Sequence, residues 1–212
     1  EEVGMVKVKK EAMRIIIIAA GEATRWQNHL GVTKHYAPVK GVPIIERLVA
    51  QLIERNEKDV HVVSKNYTLK GVKNYRPTLN PDNYDADKFL SSDELWDTKK
   101  RTLIIYGDVY FSNEAIDKVL NDKSKGYKLF CRPTEGSYGY PYGECFAISF
   151  YPEDIEKVSD GLYHLVDLYN DKVINRIGGW EITRVMAGIK DEDITKHRED
   201  LSNYIVIDDE TN

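Results

Sequence analysis

The chain has 212 residues, 42% of them hydrophobic, with 30 Lys and Arg against 35 Asp and Glu for a formal charge of −5. That length suits one full-sized domain with a substantial core rather than two, and a mildly acidic balance gives no broad cationic footprint for nucleic acid. The longest aliphatic run, Ile15 to Ala20, falls far short of the ~20 apolar residues that span a bilayer. With no signal-peptide pattern ahead of it, the expectation is a cytoplasmic protein that binds neither nucleic acid nor membrane.

Residues 1–13, EEVGMVKVKKEAM, are charged and poor in apolar residues, and are set aside as an extension or tag before a single domain, 14–212. Ile15 to Ile18 is a continuous β-branched run, the pattern of a strand buried on both faces, and such strands belong to parallel sheets covered by helices. Pro43 then opens a helix whose apolar residues Ile44, Ile45, Leu48, Val49, Leu52 and Ile53 recur at helical spacing. A second strand at 59–63, a polar loop, a helix near Asp87 to Trp96 and a third strand at 102–106 complete a βαβαβ order. Right-handed crossovers place these strands in one parallel sheet.

After Asp108 the pattern loosens. Ser112 reads as the N-cap of a helix running to about Leu120. Strands follow at 127–132 and 144–151, helices at 155–170 and 180–187, and a last strand at 204–207 ends in Asp208-Asp209. Cys131 and Cys145 are too few for a disulfide framework and lack zinc-site spacing, so both are expected as reduced, packed thiols.

Ligands of open parallel sheets bind beyond the carboxyl ends of the strands. Three segments meet that criterion. Ala19-Ala20-Gly21-Glu22-Ala23-Thr24-Arg25 offers small residues whose backbone N–H groups can face phosphate oxygens, with Arg25 as a fixed planar cation. It is neither a Walker loop nor a GxGxxG fingerprint. Lys34 adds a mobile point charge for a triphosphate. Gly107-Asp108 follows a buried strand, where an aspartate is well placed to hold Mg²⁺ against phosphate.

Residues 19–45, AAGEATRWQNHLGVTKHYAPVKGVPII, resemble the signature AAGxGxR…K…PVxGxPll of the NTP-transferase superfamily. That superfamily includes sugar-phosphate nucleotidyltransferases and small-alcohol-phosphate cytidylyltransferases. Gly107-Asp108 falls where that family has its metal-binding aspartate, and the resemblance continues weakly through residues 207–211. It implies an α/β, three-layer Rossmann-like domain of GT-A type, with a mixed, mainly parallel sheet and helices on both faces. The implied reaction is attack of a substrate phosphate on the α-phosphorus of an NTP, with pyrophosphate leaving. The implied partners are an NTP and a small phosphorylated substrate, with Mg²⁺ as cofactor. The backbone from Ala19 to Thr24, with Gly107, is assigned to the nucleotide, Arg25 and Lys34 to the phosphates, and Asp108, with Asp208 as second carboxylate, to the metal. Ala23 replaces the second glycine of the signature, and its Cβ restricts any positive-φ geometry there.

The acceptor side is expected at Tyr140, in the Gly- and Tyr-rich segment 133–143, at Glu144, and at Glu181 in a glycine-bounded helix start. Two alternatives remain at this point: a GT-A glycosyltransferase, disfavoured because Gly107-Asp108-Val109-Tyr110 lacks DxD, and a non-catalytic nucleotide-binding relative, which Ala23 favours.

Overall fold

The computed structural model describes residues 11–21, 26–27, 30–78, 86–132, 144–195 and 207–208. Its strands are β1 (Met13–Ile18), β2 (Pro38–Val39), β3 (Val42–Pro43), β4 (Val60–Val63), β5 (Lys73–Tyr75), β6 (Arg101–Tyr106), β7 (Lys128–Arg132), β8 (Glu144–Phe150) and β9 (Ile207–Asp208). The helices are α1 (Ile44–Glu54), α2 (Asp87–Leu90), α3 (Asn113–Asn121), α4 (Ile155–Asn170) and α5 (Gly179–Met186). Seven strands form one sheet in the order β5-β4-β1-β6-β8-β7-β9. Among the described strands of that sheet, β8 alone runs against the rest.

Alternation along β1 explains the layers. Ile15 and Ile17 pack with residues of α1 and α3, including Leu48, Leu52, Ile116 and Val119. Ile16 and Ile18 pack on the other face with Phe89, Leu162, Leu165 and Ile182 of α2, α4 and α5. Both faces are covered, which is why Ile15–Ile18 of β1 and Leu103–Ile105 of β6 are unbroken aliphatic runs and β4 is valine apart from His61. The result is a three-layer α/β fold with a mixed, mainly parallel sheet. No helix among the described residues is long and apolar enough to cross a membrane.

Several expectations shift in detail. β1 begins at Met13, inside the segment set aside as an extension, and this residue is buried beside Arg101. The helix expected from Asp87 to Trp96 is two short pieces, α2 and a 3₁₀ turn at Asp93–Leu95. Ser92 divides them. Its hydroxyl donates back to Phe89 O at 2.7 Å and accepts the Trp96 indole N–H at 3.1 Å, a local alternative to the helical ladder. The loop before it contains the edge strand β5, whose polar sequence Lys-Asn-Tyr gave no strand signal.

The segment that carries the chain to α1 is a tight hairpin, β2–β3, with Lys40 and Gly41 both at positive φ. Two such residues make the turn that matches strand twist. Ser112 caps α3 as its position predicts, accepting the Ala115 N–H at 3.1 Å.

Candidate functional site

The geometry of the site follows from the pairing of β1 with β6. Ile18 lies opposite Tyr106, and the Gly107 N–H donates to Ile18 O at 3.0 Å. The chain therefore leaves both strands at the same level, and Ala19–Gly21 and Gly107–Asp108 emerge side by side. A Cβ on Gly107 would stand 3.1 Å from Ile18 O, 3.1 Å from Ile17 Cγ2 and 3.2 Å from Ala19 Cβ. Gly107 thus eases the close approach of the two strand ends, a packing role beside the nucleotide-binding role expected from the sequence. Gly21 has open space where a Cβ would be, which leaves its backbone approachable.

Lys34 opens a 3₁₀ turn, Lys34–Tyr36, held against the start of α1 by the Ile44 N–H donating to Ala37 O. That turn points the Lys34 ammonium at Asp108, Nζ to Oδ2 2.5 Å, with each side chain about a third exposed (31% and 30%). Burial alone would raise the Asp108 carboxyl; the Lys34 ammonium overrides it and holds the group below the usual carboxylate range. Asp108 is therefore an ionised carboxylate with, among the described residues, Lys34 as its ion-pair partner, and with solvent access.

Two residues that sequence reasoning did not assign complete the wall. His35 is buried next to this pair, and burial pushes its imidazole down to about 4, so the ring is neutral near pH 7. Tyr67, on the loop after β4, donates its hydroxyl to Ala19 O at 3.3 Å and packs edge-on against Tyr36, centroids 4.8 Å apart. Burial raises the Tyr67 phenol, so it stays protonated as a donor. The strand-end criterion that singled out residues 19–25 and 107–108 also covers Tyr67; His35 had no such signal.

Beyond Tyr67, at the carboxyl ends of β4 and β5, lies a cavity of about 430 Å³ lined by Ser64, Lys65, Asn66, Tyr67, Thr68, Asn74, Tyr75 and Arg76. Its residues offer two cations and several neutral donors and acceptors.

The remaining expected residues fall in different places. Glu22, Ala23, Thr24, Arg25 and Tyr140 lie outside the described residues. Glu144 starts β8, exposed, three residues before Ala147, which pairs with Ile105. Because β8 is antiparallel, that start lies at the same end of the sheet as Asp108. Glu181 is 2% exposed in the first turn of α5, its Oε1 accepting Arg176 Nε at 3.2 Å, and Trp180 beside it is core. Asp208 lies on β9, beyond β8 and β7 from β6, roughly 14 Å across the sheet at ordinary strand spacing. The backbone does not bring it to Asp108. No group of three or more His, Cys, Asp or Glu suited to a metal occurs among the described residues.

No protein-family model and no curated protein sequence matches the chain. Solved structures do. A provisionally named glucose-1-phosphate thymidylyltransferase from Bacillus anthracis, in complex with a sucrose, aligns over 70% of this chain and 75% of its own with TM-score 0.52 and 17% identity. A hypothetical transferase from Thermus thermophilus aligns over 77% and 75%, with TM-score 0.53 and 18% identity. The inositol-1-phosphate CTP transferase of T. maritima covers 77% and 82% at TM-score 0.49 and 12% identity. The likeness to the first two establishes the fold, which this chain shares with them.

Proposed function

We propose that the protein is a Mg²⁺-dependent nucleotidyltransferase that moves a nucleoside monophosphate from an NTP to the phosphate of a sugar or small polar headgroup. One observation carries this reading: the small-residue turn at 19–21, the Gly107–Asp108 turn and Lys34 converge at the ends of two adjacent parallel strands. In the reaction an acceptor phosphate oxygen forms a bond to the α-phosphorus. The bond from that phosphorus to its bridging oxygen breaks, and pyrophosphate leaves with the electron pair.

Such a transfer needs placement and charge neutralisation more than a nucleophilic side chain. The backbone of Ala19 to Gly21 gives the triphosphate its close approach, and Arg25 is assigned to the leaving pyrophosphate. Lys34 exchanges its Asp108 partner for phosphate oxygens. Neutral His35 fills the wall without adding a second positive charge beside Lys34. The residues present fit a divalent cation of the Mg²⁺ type, since one ionised, partly exposed carboxylate together with substrate phosphates is its common donor set. Bound at Asp108, the ion would neutralise phosphate charge as the α-phosphorus is attacked. The base is assigned to the cavity of Ser64–Thr68 and Asn74–Arg76, continuous with Ala19 through Tyr67. The acceptor is assigned to the side of Glu144 and Tyr140.

The test is pyrophosphate release with Mg²⁺ and each of the four NTPs, across a panel of sugar 1-phosphates and small headgroup phosphates. At least one pair should turn over. Glycosyl transfer from a nucleotide sugar without pyrophosphate, or nucleotide binding with no turnover across the panel, overturns the reading.

A further inference from the structure

The two cysteines, fourteen positions apart in sequence, face each other across β7 and β8: Cys131 is the register partner of Cys145. A β-bulge brings them together. Phe130 pairs with Ala147 while Cys131 pairs with Cys145, so Phe146 is the extra residue. Without it Cys131 would stand opposite Phe146, and one step of register carries a side chain to the other face of the sheet. The packing agrees: Phe130, Phe146 and Ala147 belong to the core on the α1 and α3 face, whereas Cys131 and Cys145 belong to the α4 and α5 face.

Directly opposed residues of an antiparallel pair have Cα atoms about 4.5–5.5 Å apart, inside the roughly 4.4–6.8 Å range that a disulfide spans. Above Cys145 the covering residue is Gly179, at the start of α5. A Cβ there would lie 3.1 Å from Cys145 Cβ and 3.3 Å from its Sγ, so glycine lets the helix start pack directly on this thiol. We infer that Cys131 and Cys145 form a reversible cross-strand disulfide site, closed by exchange with a small-molecule disulfide such as glutathione disulfide, which staples the two strands that flank segment 133–143.

The chemistry balances in two exchanges. Cys145, half-buried where Cys131 is fully buried, attacks one sulfur of glutathione disulfide as thiolate when local opening lifts the α5 start from it; a protein–glutathione mixed disulfide forms and one glutathione thiolate leaves. The Cys131 thiolate then attacks Cys145 Sγ, forming the internal bond and releasing the second glutathione. Both protein protons end on the two glutathione thiols, and the oxidant is reduced by two electrons. Burial raises the Cys145 thiol well above its ordinary value, so the first exchange is slow near neutral pH and quickens as pH rises.

The experiment equilibrates the full-length chain in glutathione redox buffer from two sides. One sample starts folded and reduced; the other is oxidised in denaturant and then refolded. Intact mass and non-reducing peptide maps are read against Cys131→Ala and Cys145→Ala. The expected result is a monomer about two mass units lighter, with residues 128–132 linked to residues 144–150, reached from both sides and absent in either variant. A persistent mixed disulfide on Cys145, intermolecular dimers, or reduction of the preformed bond in buffer that keeps ordinary disulfides oxidised would each overturn the inference. The readout does not involve nucleotide turnover, so its failure leaves the proposed function untouched, and the reverse holds.

Discussion

The two ends of the parallel sheet each carry an aspartate at a strand terminus, and they treat it in opposite ways. At the amino end, Asp59 precedes β4 and accepts from Arg14 Nε at 2.9 Å, His61 Nε2 at 2.9 Å, Lys73 Nζ at 2.7 Å and Lys100 Nζ at 2.7 Å. Burial alone would raise that carboxyl, but these donors, Lys100 foremost, drive it far below the ordinary range. At the carboxyl end, Asp108 has Lys34 as its cationic partner and keeps solvent access. A saturated carboxylate fastens β1, β4, β5 and the approach to β6 together. A partly exposed carboxylate with a single ion pair among the described residues keeps oxygen lone pairs open to exchange, which is the physical difference between the two ends.

The contrast can be broken by mutation. Asp108→Asn should lower pyrophosphate release by roughly 10³-fold, the scale of removing one electrostatic group from such a transfer, while changing stability by less than about 1 kcal/mol, since its ion pair is partly exposed. Equal turnover in steady-state assays would remove Asp108 from the reaction. Asp59→Ala should do the reverse, costing about 3 kcal/mol in urea unfolding because several cations lose a shared partner, with kcat/KM per folded molecule nearly unchanged.

His35 sharpens the comparison through pH. The folded imidazole resists protonation down to about 4, whereas its ordinary value is 6.5. Between these values the unfolded chain binds more protons than the folded one, so stability falls as pH drops through this window. By pH 5 the loss from this residue is about 2 kcal/mol. Chemical denaturation at pH 7 and pH 5 should show that extra loss in the parent and not in His35→Gln; an identical pH dependence in both would refute it. The smallest expected effect belongs to Gly107→Ala, about 1 kcal/mol from crowding Ile18 O and Ala19. Nucleotide affinity, measured by calorimetry, should fall with it, because the strand ends that build the cradle are pushed apart.

Much of this architecture is legible in the residues themselves. The aliphatic runs of β1 and β6 are unbroken because both faces are covered, and α4 spans residues 155–170 as its periodicity predicts. The convergence of Ala19–Gly21, Lys34 and Asp108 at one end of the sheet was legible where chemistry and topology coincide. Other features depend on partners distant in sequence. β5 is a strand only because β4 offers its edge. Glu181 looks like a free acid at a helix start, yet packing sinks it into the core. His35 gains its meaning from Asp108, and the facing of Cys131 and Cys145 turns on one bulged residue that no periodicity announces.

The reversal of β8 has an evolutionary corollary. Its pairing with β6 anchors one arm of the β7–β8 pair to the parallel part of the sheet, and β7 ends and β8 begins at the same end of the sheet as Asp108. Doubling the length of a connection costs only about 0.6 kcal/mol in closure entropy. Under the proposed function, lengthening or shortening the sequence between these arms is expected to change which acceptor turns over and to leave nucleotide affinity nearly unchanged.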